Sequence, residues 1–460
     1  MLRHFGQNLS VEEKQLVALR RMIWLYFGLL IAEGALRKWI FPSLSTPLLV
    51  IRDPLVLLIY VQAVRCRRFP VSGPMVVYFL LLTGFTLLAL FQMVAGLGGG
   101  PLVAIYGLRT DFLHLPLIFL IPQVFSYGDV VKLGRWILIL SLPMAGLMMW
   151  QFRSPPDSWI NATTIADAQQ ITFTLGKIRP AGTFSFANGA AHFFILTTAF
   201  LIYGLAQSRV PYPRWLLGAA LLGVIVVQPV SGSRTLVIGC ALVVIAAFFF
   251  LALGWGESGR ILIVAGLVCG TFAVLSLTTF FRDALTVFMA RWDDASGGSA
   301  STTLIGRVLD SFLDPFEIMS EVGLFGKGIG LGTNAASALL TGKVQFLLAE
   351  GEWTRMVMEA GPLLGFSFLA YRTWLACNVA LRAVLAAKQH YLLAWLLASD
   401  ACRSLLNEQL SQPTNLGFMV LVSGLCLAAM PARRSELTAE AAVANGLLSR
   451  KPRFDTQFSK

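Results

Sequence analysis

Apolar residues along this chain fall in long continuous runs, not in alternation. A run of about twenty apolar residues is the length an α-helix needs to cross the hydrocarbon core of a bilayer. The runs predict spans near 22–41, 48–64, 75–96, 105–125, 136–152, 186–206, 215–231, 236–254, 261–281, 362–381, 391–406 and 416–431. A membrane β-barrel would alternate instead. The expected fold is therefore all-α, a polytopic transmembrane helical bundle of about twelve spans. Most connections are short. Two are long: 153–185, and 282–361, which is charged and glycine-rich and has the pattern of short amphipathic helices over 304–322 and 346–360. The chain divides into spans one to nine over 1–281, a loop subdomain over 282–361, spans ten to twelve over 362–431 and a basic tail over 432–460, read as disordered.

Charge then orients the bundle. Alternate connections carry Arg20 and Arg21, Arg65 to Arg68, Lys132 and Arg135, Arg209 and Arg214, Arg260, Arg382 and Lys388, and the tail with Arg433, Arg434, Arg450 and Lys451. The positive-inside rule puts these in the cytoplasm, with both termini. These segments hold most of the lysines and arginines but a minority of the acids, so the net charge of +12 is a product of topology. It gives no reason to expect a nucleic acid partner. Composition agrees: 56% of residues are hydrophobic and 13% charged, where soluble domains carry about 25% charged residues. Residues 1–21 are polar and include Glu12, Glu13 and Lys14, and the following run is of span length, so a cleavable signal is not expected.

The six cysteines and four histidines are scattered, with no spacing that suggests a metal site or a disulfide framework. No metal or cofactor is expected. "GKGIGLG" (326–332) is not a nucleotide loop, because no strand pattern precedes it and no Lys-Ser/Thr follows. Glycine there suits a hinge or a close approach of backbone.

Ionisable residues at the ends of spans are costly, which makes each a functional candidate. They gather at the predicted outer face: Arg37, Lys38, Arg52, Asp53, Arg109, Asp111, Arg179, Arg234, Arg307, Glu350, Glu352, Arg355 and Glu359. Glu33 and Arg37 have the spacing of an intrahelical ion pair. Arg52 with Asp53, and Arg109 with Asp111, suit either pairing inside the bundle or function. Arg179, Arg234 and Arg307 have no acid within two positions. A guanidinium can grip phosphate oxygens bidentately, so these three suit a phosphate ligand.

Four stretches, in order, resemble the O-antigen ligase and O-antigen polymerase superfamily of bacterial polysaccharide assembly. "RPAGTFSFANGAAHFF" (179–194) is similar to that family's Arg-x-x-Gly-Thr-Phe…Asn segment, with Asn188 as its asparagine. "SGSRTLVIG" (231–239) is similar to its Ser-x-Ser-Arg turn. "IGRVLDSFLDPFEIMSEVGLFGKGIGLG" (305–332) resembles the Gly-Arg opening of its long outer loop. "AEGEWTRMVMEAGPLLG" (349–365) resembles that loop's close. The segment "EGALRKWIFP" (33–42) also has a family look without an assignable role. The family's ligases carry a histidine nine positions before the glutamate of Glu-x-Gly. Counting back from Glu359, this chain has Glu350, which favours the polymerase branch.

The resemblance implies a glycosyltransferase of the bacterial inner membrane, acting at the periplasmic face. Glycan would pass from a polyprenyl-diphosphate carrier to an acceptor sugar hydroxyl. Arg179, Arg234, Arg307 and Arg355 would hold the diphosphate, and Glu350, with Glu352 second, would take the acceptor proton. Arg109, Asp111, Arg52, Glu359 and Asn188 would support the site, with Glu359 organising the loop end. The partners implied are the lipid-linked glycan donor, a glycan acceptor and the bilayer. A ligase acting on a lipid or protein acceptor is the near alternative. A transporter for lipid-linked glycan is the alternative of another class, though no inverted repeat supports it.

Overall fold

The computed structural model describes residues 11–164, 177–207, 211–255, 266, 269–296, 304–342 and 347–431. The helices are α1 (Val11–Ala35), α2 (Ser45–Leu48), α3 (Arg52–Arg65), α4 (Gly73–Val94), α5 (Pro101–Leu108), α6 (Leu117–Val124), α7 (Tyr127–Arg153), α8 (Ala187–Ala206), α9 (Arg214–Ser231) and α10 (Arg234–Ala252). Then come α11 (Cys269–Leu275), α12 (Thr279–Ser296), α13 (Leu304–Ile318), α14 (Asn334–Thr341), α15 (Glu352–Lys388), α16 (Leu392–Asn407) and α17 (Pro413–Ala428).

Among the described residues, eight helical runs are long and apolar enough to cross a membrane: Glu12–Ile40, Pro42–Arg65, Gly73–Val94, Pro101–Val124, Tyr127–Arg153, Ala187–Ala206, Arg214–Ser231 and Arg234–Ala252. They match the first eight predicted spans. The ninth prediction, 261–281, falls partly outside the described residues. Its remainder belongs to α11 and α12, which are bent by 102° and count as a ninth candidate if taken as one broken span. The last three predictions fall in α15, α16 and α17. α15 has 37 residues but is kinked at Gly361, whose backbone is non-helical at φ 74°, and α16 and α17 have 16 residues each. The chain is thus an all-α, multi-pass membrane bundle, with eight or nine candidate spans among the described residues.

α8 and α17 form its centre, buried along nearly their whole length. α8 packs against α7, α9, α10, α16 and α17, and α17 also packs against α6 and α16. Around them, α4 and the part of α15 beyond Gly361 expose Leu80, Leu87, Val94, Leu363, Leu381 and Leu385, as helices facing acyl chains do.

Local signals set the connections. Ser126 and Asp129 make a reciprocal capping box that starts α7. α9 ends at Ser231, Gly232 takes the left-handed conformation at φ 53°, and Ser233 caps α10 by accepting from Leu236 N. α9 and α10 are therefore joined by two residues.

Of the two amphipathic helices predicted in 282–361, the first is α13. The second becomes the opening turns of α15, and α14 is an addition. This segment packs onto the bundle: α12 on α9, α13 on α15, α14 on α5. The glycines of 326–332 serve close approach. Gly330 has φ 87°, and a Cβ there would run into the carbonyl of Val103.

Candidate functional site

The segment 177–186 is pinned to the end of α1. Lys38 Nζ donates to the carbonyls of Gly182 at 2.7 Å and Phe184 at 2.8 Å. Arg37 Nη1 donates to Ser185 Oγ at 3.1 Å, and Thr183 Oγ1 to the carbonyl of Ile31 at 2.8 Å. From the other side, Gly182 N donates to Gln151 Oε1 at 2.8 Å. Gly34 permits the approach, because a Cβ there would overlap the backbone of Thr183 to Ser185. This gives 33–42 its role, which the sequence left open: it clamps the segment that carries Arg179.

The clamped Arg179 lies close enough to Arg234, the first residue of α10, to feel its charge. Burial, and then the positive charge of Arg234, lower the pKa of Arg179 below the usual guanidinium value. Both side chains are half-buried. The N-terminal end of α10 adds its own partial positive charge. Two guanidiniums within reach of each other's charge, one of them opening α10, make electrostatics that favour an anion.

Arg355 lies elsewhere. It is fully buried, with Nε 3.0 Å from Glu352 Oε2, Nη1 3.0 Å from Glu359 Oε1, and Nη2 2.9 Å from Glu352 Oε1 and 2.8 Å from Asp111 Oδ1. Glu352 also accepts from Arg372 Nη1 at 3.0 Å and Leu410 N at 3.2 Å. Glu359 accepts from Gly330 N at 2.9 Å and Gly332 N at 2.8 Å, which ties down the loop end as expected for it. These bonds speak against two of the expected roles. Arg355 has its donors committed to carboxylates, and Glu352 is closed to solvent and saturated, so neither is placed to hold diphosphate or take a proton. Asp111 belongs to the same buried network.

The neighbouring charges in sequence do not pair with each other. Arg52 Nε reaches Glu33 Oε2 at 3.0 Å, and its Nη2 donates to the carbonyl of Pro413 at 2.6 Å. Asp53 takes a bidentate grip from Arg109, at 2.6 and 2.7 Å, and lies 3.1 Å from His114 Nε2. Glu33 and Arg37 pair at 3.5 Å, as their spacing predicts. Arg52 and Arg109 thus lock α1, α3, α5 and α17 together.

Glu350 is exposed. Its backbone carbonyl accepts from Gln409 Nε2 at 2.7 Å, Gln409 Oε1 accepts from Gln412 Nε2 at 2.5 Å, and Gln412 Oε1 lies 3.5 Å from Asn188 Nδ2. A row of amides therefore joins Glu350 to the first turn of α8. Arg307 lies on α13, and its side chain is outside the described set, so its place relative to Arg179 and Arg234 is not part of the described geometry.

No family model and no curated protein matches this chain. The site must therefore be read from its own residues.

One cluster escaped the sequence reading. Arg403 on α16 donates from Nε at 3.0 Å and from Nη2 at 2.8 Å to Asp400 Oδ1. Its Nη1 reaches Glu408 Oε2 at 3.2 Å, and Nη2 reaches His192 Nδ1 on α8 at 3.2 Å. His192 Nε2 is 3.1 Å from Glu408 Oε1, within ion-pair distance though out of line for a hydrogen bond. Burial raises the Glu408 carboxyl, but His192 and Arg403 together outweigh it and hold it down at about 2. The only sequence signal was the three-residue spacing of Asp400 and Arg403. Among the described residues, no group of three His, Cys, Asp or Glu side chains converges as a metal site requires.

Proposed function

We propose that this protein is a membrane glycosyltransferase of the O-antigen polymerase type. It passes a glycan from a polyprenyl-diphosphate carrier to an acceptor sugar hydroxyl at the outer face of the bacterial inner membrane. The observation that carries the reading is that Arg179, clamped by the end of α1, lies within reach of the charge of Arg234 at the start of α10. A diphosphate within reach of both guanidiniums would be attracted by each of them. Such cations, fixed beforehand where charge develops on the leaving group, stabilise the transition state.

α11 with α12 forms the ninth span in this reading, and α15, α16 and α17 complete twelve, with both termini in the cytoplasm. The basic connections then lie inside, and Arg179, Arg234 and the amide row lie outside. Arg307 remains a further diphosphate ligand in the proposal. Glu350 is the exposed carboxylate at the rim. Its presence where ligases carry histidine favours polymerase over ligase.

A strain carrying Arg234→Ala, with the protein present in the membrane at wild-type level, tests the reading. Its lipid-linked and surface glycans are sized on gels. Loss of long chains with single units retained supports a polymerase. Long chains stranded on the carrier would point to a ligase, and an unchanged ladder removes Arg234 from the chemistry.

A further inference from the structure

The proposed site makes no use of α13 (Leu304–Ile318) beyond Arg307. We propose that α13 is an interfacial membrane helix, lying where headgroups meet acyl chains in one leaflet, with Leu309, Leu313 and Phe316 among the acyl chains. The partner is a lipid surface, and the proposal stands whether or not the chain transfers glycan.

α13 has three distinct sides. At 100° per residue, Ser311, Phe312 and Pro315 share one of them. This side meets the bundle: Phe312 packs edge-on against Trp353 with ring centroids 4.8 Å apart, Asn407 Nδ2 donates to Ser311 Oγ at 3.4 Å, and Pro315 is buried. Leu309, Leu313 and Phe316 share the second side and are 52%, 53% and 54% exposed. Asp310, Asp314 and Glu317 share the third, and all three are exposed. The centres of these sides stand roughly 100–140° apart. A helix with separate charged and apolar sides, neither packed on protein, has the form of one that lies in a membrane surface. Beside a bundle it needs a third, packed side, and α13 has one.

What covers the apolar side follows from what adjoins it. Phe316 stacks on Phe366 of α15, with centroids 4.8 Å apart and planes at 26°. One turn away on α15, beyond the kink at Gly361, stands exposed Leu363. The chain leaving α13 extends the patch through Met319, Leu324 and Phe325, all exposed. Phe325 then packs on Phe91 of α4, with centroids 4.4 Å apart, between exposed Leu87 and Val94. The stripe is therefore continuous with the surfaces of α4 and α15 that face acyl chains.

Depth and roll agree with this. Phe366 lies four residues past Pro362, and Phe91 three residues short of Val94, the end of α4. Those offsets are about 6 and 4.5 Å of helix rise, close to the depth of about 5–10 Å at which an interfacial helix seats its apolar side. Carboxylates lack the long apolar stem that lets lysine reach back to water from acyl chains. Asp310, Asp314 and Glu317 must therefore face water, and that roll turns Leu309, Leu313 and Phe316 towards lipid.

The test uses the full chain in nanodiscs of phosphatidylethanolamine and phosphatidylglycerol. The six native cysteines are replaced by serine or alanine. Leu309→Cys, Asp310→Cys, Leu313→Cys or Asp314→Cys is then introduced singly to carry a nitroxide. Power saturation reads collisions with oxygen, which concentrates among acyl chains, and with nickel-EDDA, which stays in water. The two leucine positions should favour oxygen and the two aspartate positions nickel, so that the ratio reverses between neighbouring residues. Leucine-position labels that favour nickel would show a solvated helix and overturn the proposal. Labels there that meet neither reagent would show a protein cover, a second copy included, and also overturn it. Should the cysteine-free chain fail to fold, p-benzoylphenylalanine in place of Leu313 in the otherwise unaltered protein decides the same point. Illumination should attach a phospholipid at that position, read by mass spectrometry. A cross-link between two protein chains, or no lipid adduct, overturns the proposal.

Discussion

Lys38, at the end of the first membrane helix, holds the carbonyl oxygen of Gly182 at 2.7 Å, 144 residues further along the chain. The same ammonium takes the carbonyl of Phe184, so one side chain positions the loop that presents Arg179. Lys38→Met should free both carbonyls. An unsatisfied buried polar group costs about 1–3 kcal/mol, and thermal melting in detergent should show a clear drop. Farnesyl diphosphate affinity should fall with it, since Arg179 loses its mount. A Lys38→Met protein that melts lower but binds as before would separate the clamp from the anion site.

Arg234→Ala should weaken farnesyl diphosphate binding by roughly tenfold or more, the loss expected of a charge-assisted hydrogen bond worth about 1.5–3 kcal/mol. Arg234→Lys should recover only part of this, because an ammonium cannot make the forked contact. Isothermal titration compares the three proteins.

The buried network predicts contrasting behaviour for two glutamates two positions apart. Glu352→Gln leaves Arg355 and Arg372 short of a compensating charge, and breaking a buried pair typically costs about 3–5 kcal/mol. Glu350→Gln, at an exposed position, should change stability by less than about 0.5 kcal/mol. Chemical denaturation of the two variants in the same detergent checks the contrast.

Glu408 gives a pH dependence of stability. Its folded pKa of about 2 lies below the ordinary value of 4.5. Its contribution is therefore complete above about pH 4.5 and is lost as the pH falls towards about 2. Melting temperature should decline over that window, and Glu408→Gln should remove this part of the decline. Equal slopes in the two proteins would show that Glu408 is not the group responsible.

Gly34→Ala should be severely destabilising, because the added methyl meets the backbone of Thr183 to Ser185, which cannot rotate aside as a side chain can. Low yield and early melting are the expected readouts.

Much of the bundle was legible because membrane spans are written as uninterrupted apolar length, and the first eight runs each became a candidate span. The Ser-Gly-Ser-Arg turn was legible too, since glycine and serine there satisfy fixed demands of helix ends. The ion pairs were not. Arg52 and Asp53 are neighbours in sequence but about 100° apart around a helix, so they face different partners, Glu33 and Arg109. Arg355 and Glu352 read as site residues because polar loops draw attention; only the fold shows them sealed in the first turns of α15. His192 was passed over because its partner Arg403 is 211 residues away, and no local pattern announces a meeting at that range.

The two-residue joint between α9 and α10 has a consequence for tolerance to change. One inserted residue there would wind Arg234 about 100° around its axis and lift it about 1.5 Å. Relatives of this chain should therefore vary freely in the length of most connections and hardly at all in this one.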